Sequence, residues 1–169
     1  MIGNDIIDLN VAQQESNWRR SGFLEKIFTQ SEQLLICNTA NPEIMVWYLW
    51  SLKEAAYKIF NRQTLIRAFM PLQFECFDMQ MLNKNNLGKV RCLDTIYYTQ
   101  TIITKDSIDT VSVLDVKDFE RIKTLDNTIS IKKTNGIPSY YSYDSHSFKP
   151  LSKSHHGRFE RIVALNDLD

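Results

Sequence analysis

The stretch "WSLKEAAYK", residues 50–58, sets a carboxylate and an ammonium four residues apart, Glu54 and Lys58, among aromatic side chains. On a helix turning 100° per residue, Trp47, Trp50, Ser51, Tyr57, Lys58 and Asn61 all project within about 60° of Glu54. Two readings fit. One is a half-buried ion pair packed under tryptophans, the ordinary outcome of i,i+4 spacing, and helix geometry by itself favours it. The other is a carboxylate and a cation converging on a cleft, where burial strengthens both.

Asp5 lies in "IGNDIIDL", a short run of branched apolar residues. An Asp there is unfavourable by strand propensity and needs a reason. A cap or hairpin role is one; a metal ligand is the other, with Gly3 on the same strand face leaving room for a ligand. Near the C-terminus, "LSKSHHGRF" clusters Ser152, Ser154 and His155 before Gly157-Arg158. Hydroxyls, imidazole and guanidinium together can hold phosphate, although a Ser/His loop is more often merely polar. No acid stands at the spacing of a hydrolase triad, and neither a P-loop nor a GxGxxG fingerprint is present.

Composition narrows the classes further. With 43% hydrophobic and 24% charged residues, the chain reads as an ordinary soluble domain over residues 1–169. Twenty Lys+Arg balance twenty Asp+Glu, so bulk charge argues for neither nucleic acid nor membrane as partner. Cys37, Cys76 and Cys92 form no CxxC pair, which points to buried reduced thiols rather than zinc or disulfides. No apolar run approaches the roughly 20 residues of a membrane span, and "MIGNDIIDL" lacks signal-peptide character. A cytoplasmic location is expected.

These residues must be positioned by elements that the pattern suggests. Residues 2–9 read as a strand and 11–26 as a partly exposed helix. "FTQSEQLLI" holds a capping box, Thr29 with Glu32, after a possible staple at Phe28. A long helix follows Asn41-Pro42, from about Glu43 to Asn61, apolar on nearly all faces and so buried. After Pro71 the period becomes two. "LQFECFDMQML", "KVRCLDTIYYTQTIIT" and "IDTVSVLDV" read as strands, with "NKNNLG" a hairpin turn. Residues 116–126 are helical or irregular, "SYYSYDSHSFKP" (139–150) reads as a loop, and "GRFERIVAL" as a last strand. The expected class is α+β, an antiparallel sheet packed against a long central helix. The Arg19-Arg20 pair reads as a solvated helix face.

"IGNDIID", "WSLKEAAYK" and "LSKSHHGRF" together resemble the three signatures of the 4′-phosphopantetheinyl transferase superfamily. "FLEKIFTQSE" and "NGIPSY" resemble two flanking family matches. The order, with the GxD match first and S-x-S-H last, and Ile7 two residues after Asp5, is most similar to the small holo-acyl-carrier-protein synthase type. Asn4 and Lys153 depart from it, standing where the family usually has apolar residues, and "SYYSYDSHSFKP" is an insertion.

The resemblance implies transfer of the phosphopantetheine arm of coenzyme A to a serine of an apo acyl or related carrier protein, in fatty-acid, polyketide or peptide synthesis, releasing adenosine 3′,5′-bisphosphate. It implies Mg²⁺ held by Asp5 and Glu54 and phosphoryl-transfer chemistry dominated by positioning and charge neutralisation. Lys58, and Lys53 as a second contact, would meet the phosphates, and Ser154 with His155 would hold CoA phosphate. Glu54, directly or through a water on the metal, would take the serine proton. Arg19 falls near the family's carrier-contacting arginines. The small type assembles as a homotrimer with sites between subunits, which this chain would share if that interface is kept. The alternative to an active enzyme is a non-catalytic CoA- or carrier-binding module of the same fold.

Overall fold

Strand β1 (Ile2–Asp8) opens the chain and is followed by helices α1 (Leu9–Glu15), α2 (Phe23–Ile27), α3 (Gln30–Asn38) and α4 (Pro42–Thr64). Among the described residues nine further strands follow: β2 (Glu75–Gln80), β3 (Asn86–Cys92), β4 (Thr95–Ile103), β5 (Ser107–Val113), β6 (Ile122–Thr124), β7 (Ile131–Thr134), β8 (Ile137–Ser142), β9 (Ser147–His156) and β10 (Phe159–Leu165). The structure, a computed structural model, describes residues 1–82 and 85–166. The strands form two antiparallel sheets, ordered β1-β5-β4-β3-β2 and β6-β10-β9-β8-β7. The fold is α+β as the pattern suggests, but with two sheets where one is expected.

Helix α4 is the element around which the main core forms. Asn41 caps it by accepting the Ile44 N–H at 3.2 Å, and Pro42 fills the first turn, where its missing N–H costs nothing. Val46, Leu49, Leu52, Ala55, Ala56 and Ile59 are fully buried along it. It packs on β1 and β5. Two small residues, Ala55 and Ala56, let the strand come close. At Gly3 the approach is closest, since a Cβ there would lie 2.0 Å from the Ala55 carbonyl oxygen. Gly3 therefore serves helix–strand packing, which corrects the expectation that it clears space for a ligand.

Other elements differ from the pattern for local reasons. The expected 11–26 helix is two short ones, broken where Asn17 turns onto the Arg19 N–H and Gly22 adopts φ 78°. "KVRCLDTIYYTQTIIT" is a hairpin rather than one strand, turning at Leu93 with φ 52°. The loop expected over 139–150 is the β8–β9 hairpin, with Tyr140 and Ser142 inward and Tyr141, Tyr143 and Phe148 outward. Residues 116–121 form a short 3-10 turn leading into β6. The "NKNNLG" turn includes residues 83 and 84, outside the described residues. The Thr29–Glu32 capping box forms as read. Cys76 and Cys92 are buried free thiols, but Cys37 is exposed, so burial holds for two of the three.

Candidate active site

Strand β1 is an edge of the first sheet, so every second residue presents backbone groups that β5 does not pair. The second sheet satisfies them with side chains. Ser152 accepts the Asn4 N–H at 2.9 Å and His156 Nδ1 accepts the Asp8 N–H at 3.0 Å. The Asn4 carbonyl accepts from Lys58 at 2.5 Å. Asn4 itself is fully buried, and its side-chain amide donates to Ser154 at 2.7 Å and to the Arg161 carbonyl at 3.2 Å. The two polar departures from the family pattern thus have different fates. Asn4 joins the sheets, whereas Lys153 pairs with Glu160 at 2.8 Å across β9–β10.

A buried corner locks the same junction. Asp8, fully buried, caps α1 and takes three hydrogen bonds from Arg158: its backbone N–H at 3.0 Å, Nε at 2.8 Å and Nη2 at 3.0 Å. These bonds to Arg158 hold the Asp8 carboxyl well below its ordinary range. Gly157 turns β9 into β10 at φ 53°, and a Cβ there would meet Asp8 Oδ2 at 2.6 Å. The corner brings the "SHHGR" segment against the end of β1.

On the opposite face of β1, Asp5 points at α4. Lys58 Nζ lies 3.5 Å from its Oδ1. Burial raises the Asp5 carboxyl, with Lys58 opposing. Glu54 makes no hydrogen bond or ion pair among the described residues. Burial first, then the neighbouring Asp5 charge, push it up to about 7. Two carboxylates repelling each other at the rim of a cavity, with one lysine between them, form a donor set that a cation would relieve.

Two adjoining cavities meet here and share His155, which is exposed at their junction. The larger, about 330 Å³, has Lys58, Arg62, Lys133 and Lys153 on its walls and Ile2, Ile137 and Leu151 among its apolar lining. The smaller, about 230 Å³, holds Asp5, Glu54 and His156 between Trp47 and Trp50. The aromatic stripe read from the sequence is therefore split. Trp47, Trp50 and Glu54 line one cavity, Tyr57, Lys58 and Asn61 the other, while Ser51 turns inward to Thr110 at 2.7 Å. Ser154 reaches the larger cavity, and because its oxygen already accepts from Asn4, its own hydrogen is left to donate.

Lys53 does not join this group, which corrects the expected phosphate contact. Its side chain is fully buried, and Nζ donates to Glu32 at 2.7 Å and to the carbonyls of Pro71 at 2.9 Å and Ile27 at 3.0 Å. All three ammonium donors are used. Glu32 in turn accepts from the Thr29 and Cys76 N–H groups. Arg19 is mostly exposed, pairs with Glu43 at 3.0 Å and stacks on Trp18. His156 and Asp8 are the residues that sequence reasoning missed. With Nδ1 accepting the Asp8 amide, His156 Nε2 is left on the side of Glu15, whose Oε2 lies 3.9 Å away. The paired histidines of "SHH", one on each strand face, were the available signal.

Among the described residues no three His, Cys, Asp or Glu converge as a metal site. Mg²⁺ fits such a place nonetheless, because it takes one or two carboxylates and fills its octahedron with water and substrate phosphates. Asp5 and Glu54 would supply that pair, and the Asp5 charge that helps push Glu54 up is the observation that matches. A carboxylate pair beside a cationic cavity suits transfer of a phosphate-linked group. A family model for the 4′-phosphopantetheinyl transferase superfamily matches residues 1–106, and the chain belongs to this superfamily. Phosphopantetheinyl transfer, with CoA and a carrier protein as the interacting molecules, is the general activity that membership implies. The match covers β1 through β4 and both α4 charges, while β5–β10 and the "SKSHH" segment lie beyond it. No curated protein matches the chain. No described helix is long and apolar enough to cross a membrane.

Proposed function

We propose that the chain, acting as one unit over residues 1–169, is a holo-acyl-carrier-protein synthase-type enzyme. It attaches the 4′-phosphopantetheine of CoA to a carrier serine and releases adenosine 3′,5′-bisphosphate. The observation that carries this reading is Glu54, a carboxylate with no hydrogen-bond partner among the described residues, in an acidic cavity that adjoins a cationic one.

In the reaction the serine oxygen bonds to the pantetheine-side phosphorus, and the pyrophosphate P–O bond breaks. The leaving bisphosphate keeps the bridging oxygen and its charge. Glu54, directly or through a water, accepts the serine proton. Lys58, anchored on the Asn4 carbonyl, neutralises charge on the phosphates, and Ser154 and His155 donate to them. Asp5 and Glu54 would hold Mg²⁺, which when bound supplies further charge neutralisation. Trp47 and Trp50 wall the carboxylates from bulk water. No segment here calls for membrane or nucleic acid, and a cytoplasmic setting fits.

The test is incubation with CoA, Mg²⁺ and a panel of apo carrier proteins, read by mass spectrometry. The expected result is a phosphopantetheine mass increment on at least one carrier serine. No increment on any carrier, with CoA still bound, leaves the non-catalytic module instead.

A further inference from the structure

Asn4 and Asp5 are neighbours on β1 and face opposite ways. Asp5 turns to α4 and the acidic cavity, while the Asn4 side chain is sealed between the two sheets. A buried amide in a strand of branched apolar residues needs a reason. Three of its hydrogen bonds end on residues of the larger cavity. The Asn4 carbonyl holds Lys58, its backbone N–H holds Ser152 and its side-chain amide holds Ser154, and all three partners line that cavity.

The direction of these bonds is fixed by chemistry. The Nδ2 atom that meets Ser154 at 2.7 Å also meets the Arg161 carbonyl at 3.2 Å. A carbonyl only accepts, so the nitrogen end of the amide must face it; the flipped amide would set two oxygens against each other. Ser154 is therefore an acceptor from Asn4. Ser152 is one too, because a backbone N–H only donates. Both serines are buried, both border the cavity, and among the described residues neither donates to a protein acceptor. One buried residue thus leaves two hydroxyl hydrogens, beside the Lys58 ammonium, for a ligand that only accepts. Phosphate is such a ligand.

We propose that Asn4 is a positioning residue for CoA: its side-chain amide sets the Ser154 hydroxyl so that the hydroxyl hydrogen meets a phosphate oxygen. The proposal rests on the transfer reading above for the identity of the ligand. An apolar residue at position 4, as in the family pattern, cannot do this. With Leu there the hydroxyl rotates freely. The Arg161 carbonyl, across the β9–β10 pair from Ser154 and without its Asn4 donor, then competes for the hydrogen. The backbone contacts to Ser152 and Lys58 do not depend on the side chain, so the substitution isolates the amide.

The test is a double-mutant cycle on CoA affinity, measured by calorimetry with Mg²⁺ and no carrier, using Asn4→Leu, Ser154→Ala and the two together. Expected is a Kd about 3- to 10-fold weaker in Asn4→Leu and about 5- to 20-fold weaker in Ser154→Ala, with the double variant no weaker than Ser154→Ala. In transfer assays the KM for CoA rises and that for the carrier stays within about twofold. Asn4→Ala carries the same expectations if Asn4→Leu does not fold. Wild-type affinity in either single variant overturns the proposal and leaves the transfer reading intact. So do losses that multiply in the double variant or extend to the carrier KM, which would make Asn4 a packing residue only. CoA binding with the expected coupling but no transfer to any carrier removes the transfer reading alone. A wild-type chain that does not bind CoA overturns both.

Discussion

Lys53 and Lys58 stand five residues apart on one helix and lead opposite lives. Lys53 is sealed, with Glu32 and two carbonyls taking all its donors. Lys58 is about a third exposed, bonded to the Asn4 carbonyl and 3.5 Å from Asp5, with a cavity on its open side. A buried, fully partnered ion pair does structural work, since removing one partner strands the other in a low dielectric. A carboxylate without a hydrogen-bond partner, beside a partly exposed lysine, is poised for a ligand. The "KEAAYK" run thus divides into a structural lysine and a chemical Glu–Lys pair.

The largest expected effect is on turnover. Glu54→Gln removes the proton acceptor with little change in shape, and transfer should fall by about 10³-fold while the circular dichroism spectrum stays native. Near-wild-type transfer in that variant would move the base elsewhere and dissolve the contrast.

Stability should respond in the reverse place. Lys53→Met leaves Glu32 buried and unpaired, and urea unfolding should show a loss of about 3–5 kcal/mol. Adding Glu32→Gln, which removes the stranded charge, should recover roughly half of it. A loss under about 1 kcal/mol for Lys53→Met would mean that the pair is solvated.

The smallest effect is the pH dependence of the metal-free protein. Glu54 is raised from 4.5 to about 7, so the folded state binds a proton that the unfolded chain has released. Its contribution is full below about pH 4.5 and is lost as pH rises through 7. Asp5, also raised by burial, acts in the same direction. Thermal unfolding should show a decline of about 1–3 kcal/mol between pH 5.5 and 8, flattened in Glu54→Gln. Below pH 4 Asp8 acts oppositely, its depressed carboxyl losing stability as it protonates. A flat profile would show Glu54 to be solvated.

Much of this was legible beforehand where one local rule dominates. Apolar residues on every face marked α4 as buried, the Thr29–Glu32 box marked the start of α3, and the i,i+4 spacing of Glu54 and Lys58 marked a common face, which Asp5 joined only through the family resemblance. What was not legible depends on distant contacts. Nothing within "WSLKEAAYK" says that Lys53 meets Glu32, 21 residues earlier, rather than phosphate. Gly3 looked like space until α4 was laid against it. The 139–150 stretch looked like a loop because its composition is polar. Its alternation of Tyr140 and Ser142 with Tyr141 and Tyr143 carried the strand signal. Asp8 and His156 were hidden because their partners lie 150 and 148 residues away.

One measurement bears most directly on the division of the two lysines. Compare kcat/KM for CoA in Lys58→Met and Lys53→Met, each normalised to its folded fraction from the unfolding curve. The expected result is a fall of about 100-fold or more for Lys58→Met and a value within about threefold of wild type for Lys53→Met. Equal losses in the two variants, or a larger loss for Lys53→Met per folded molecule, would contradict it and return Lys53 to the phosphate site.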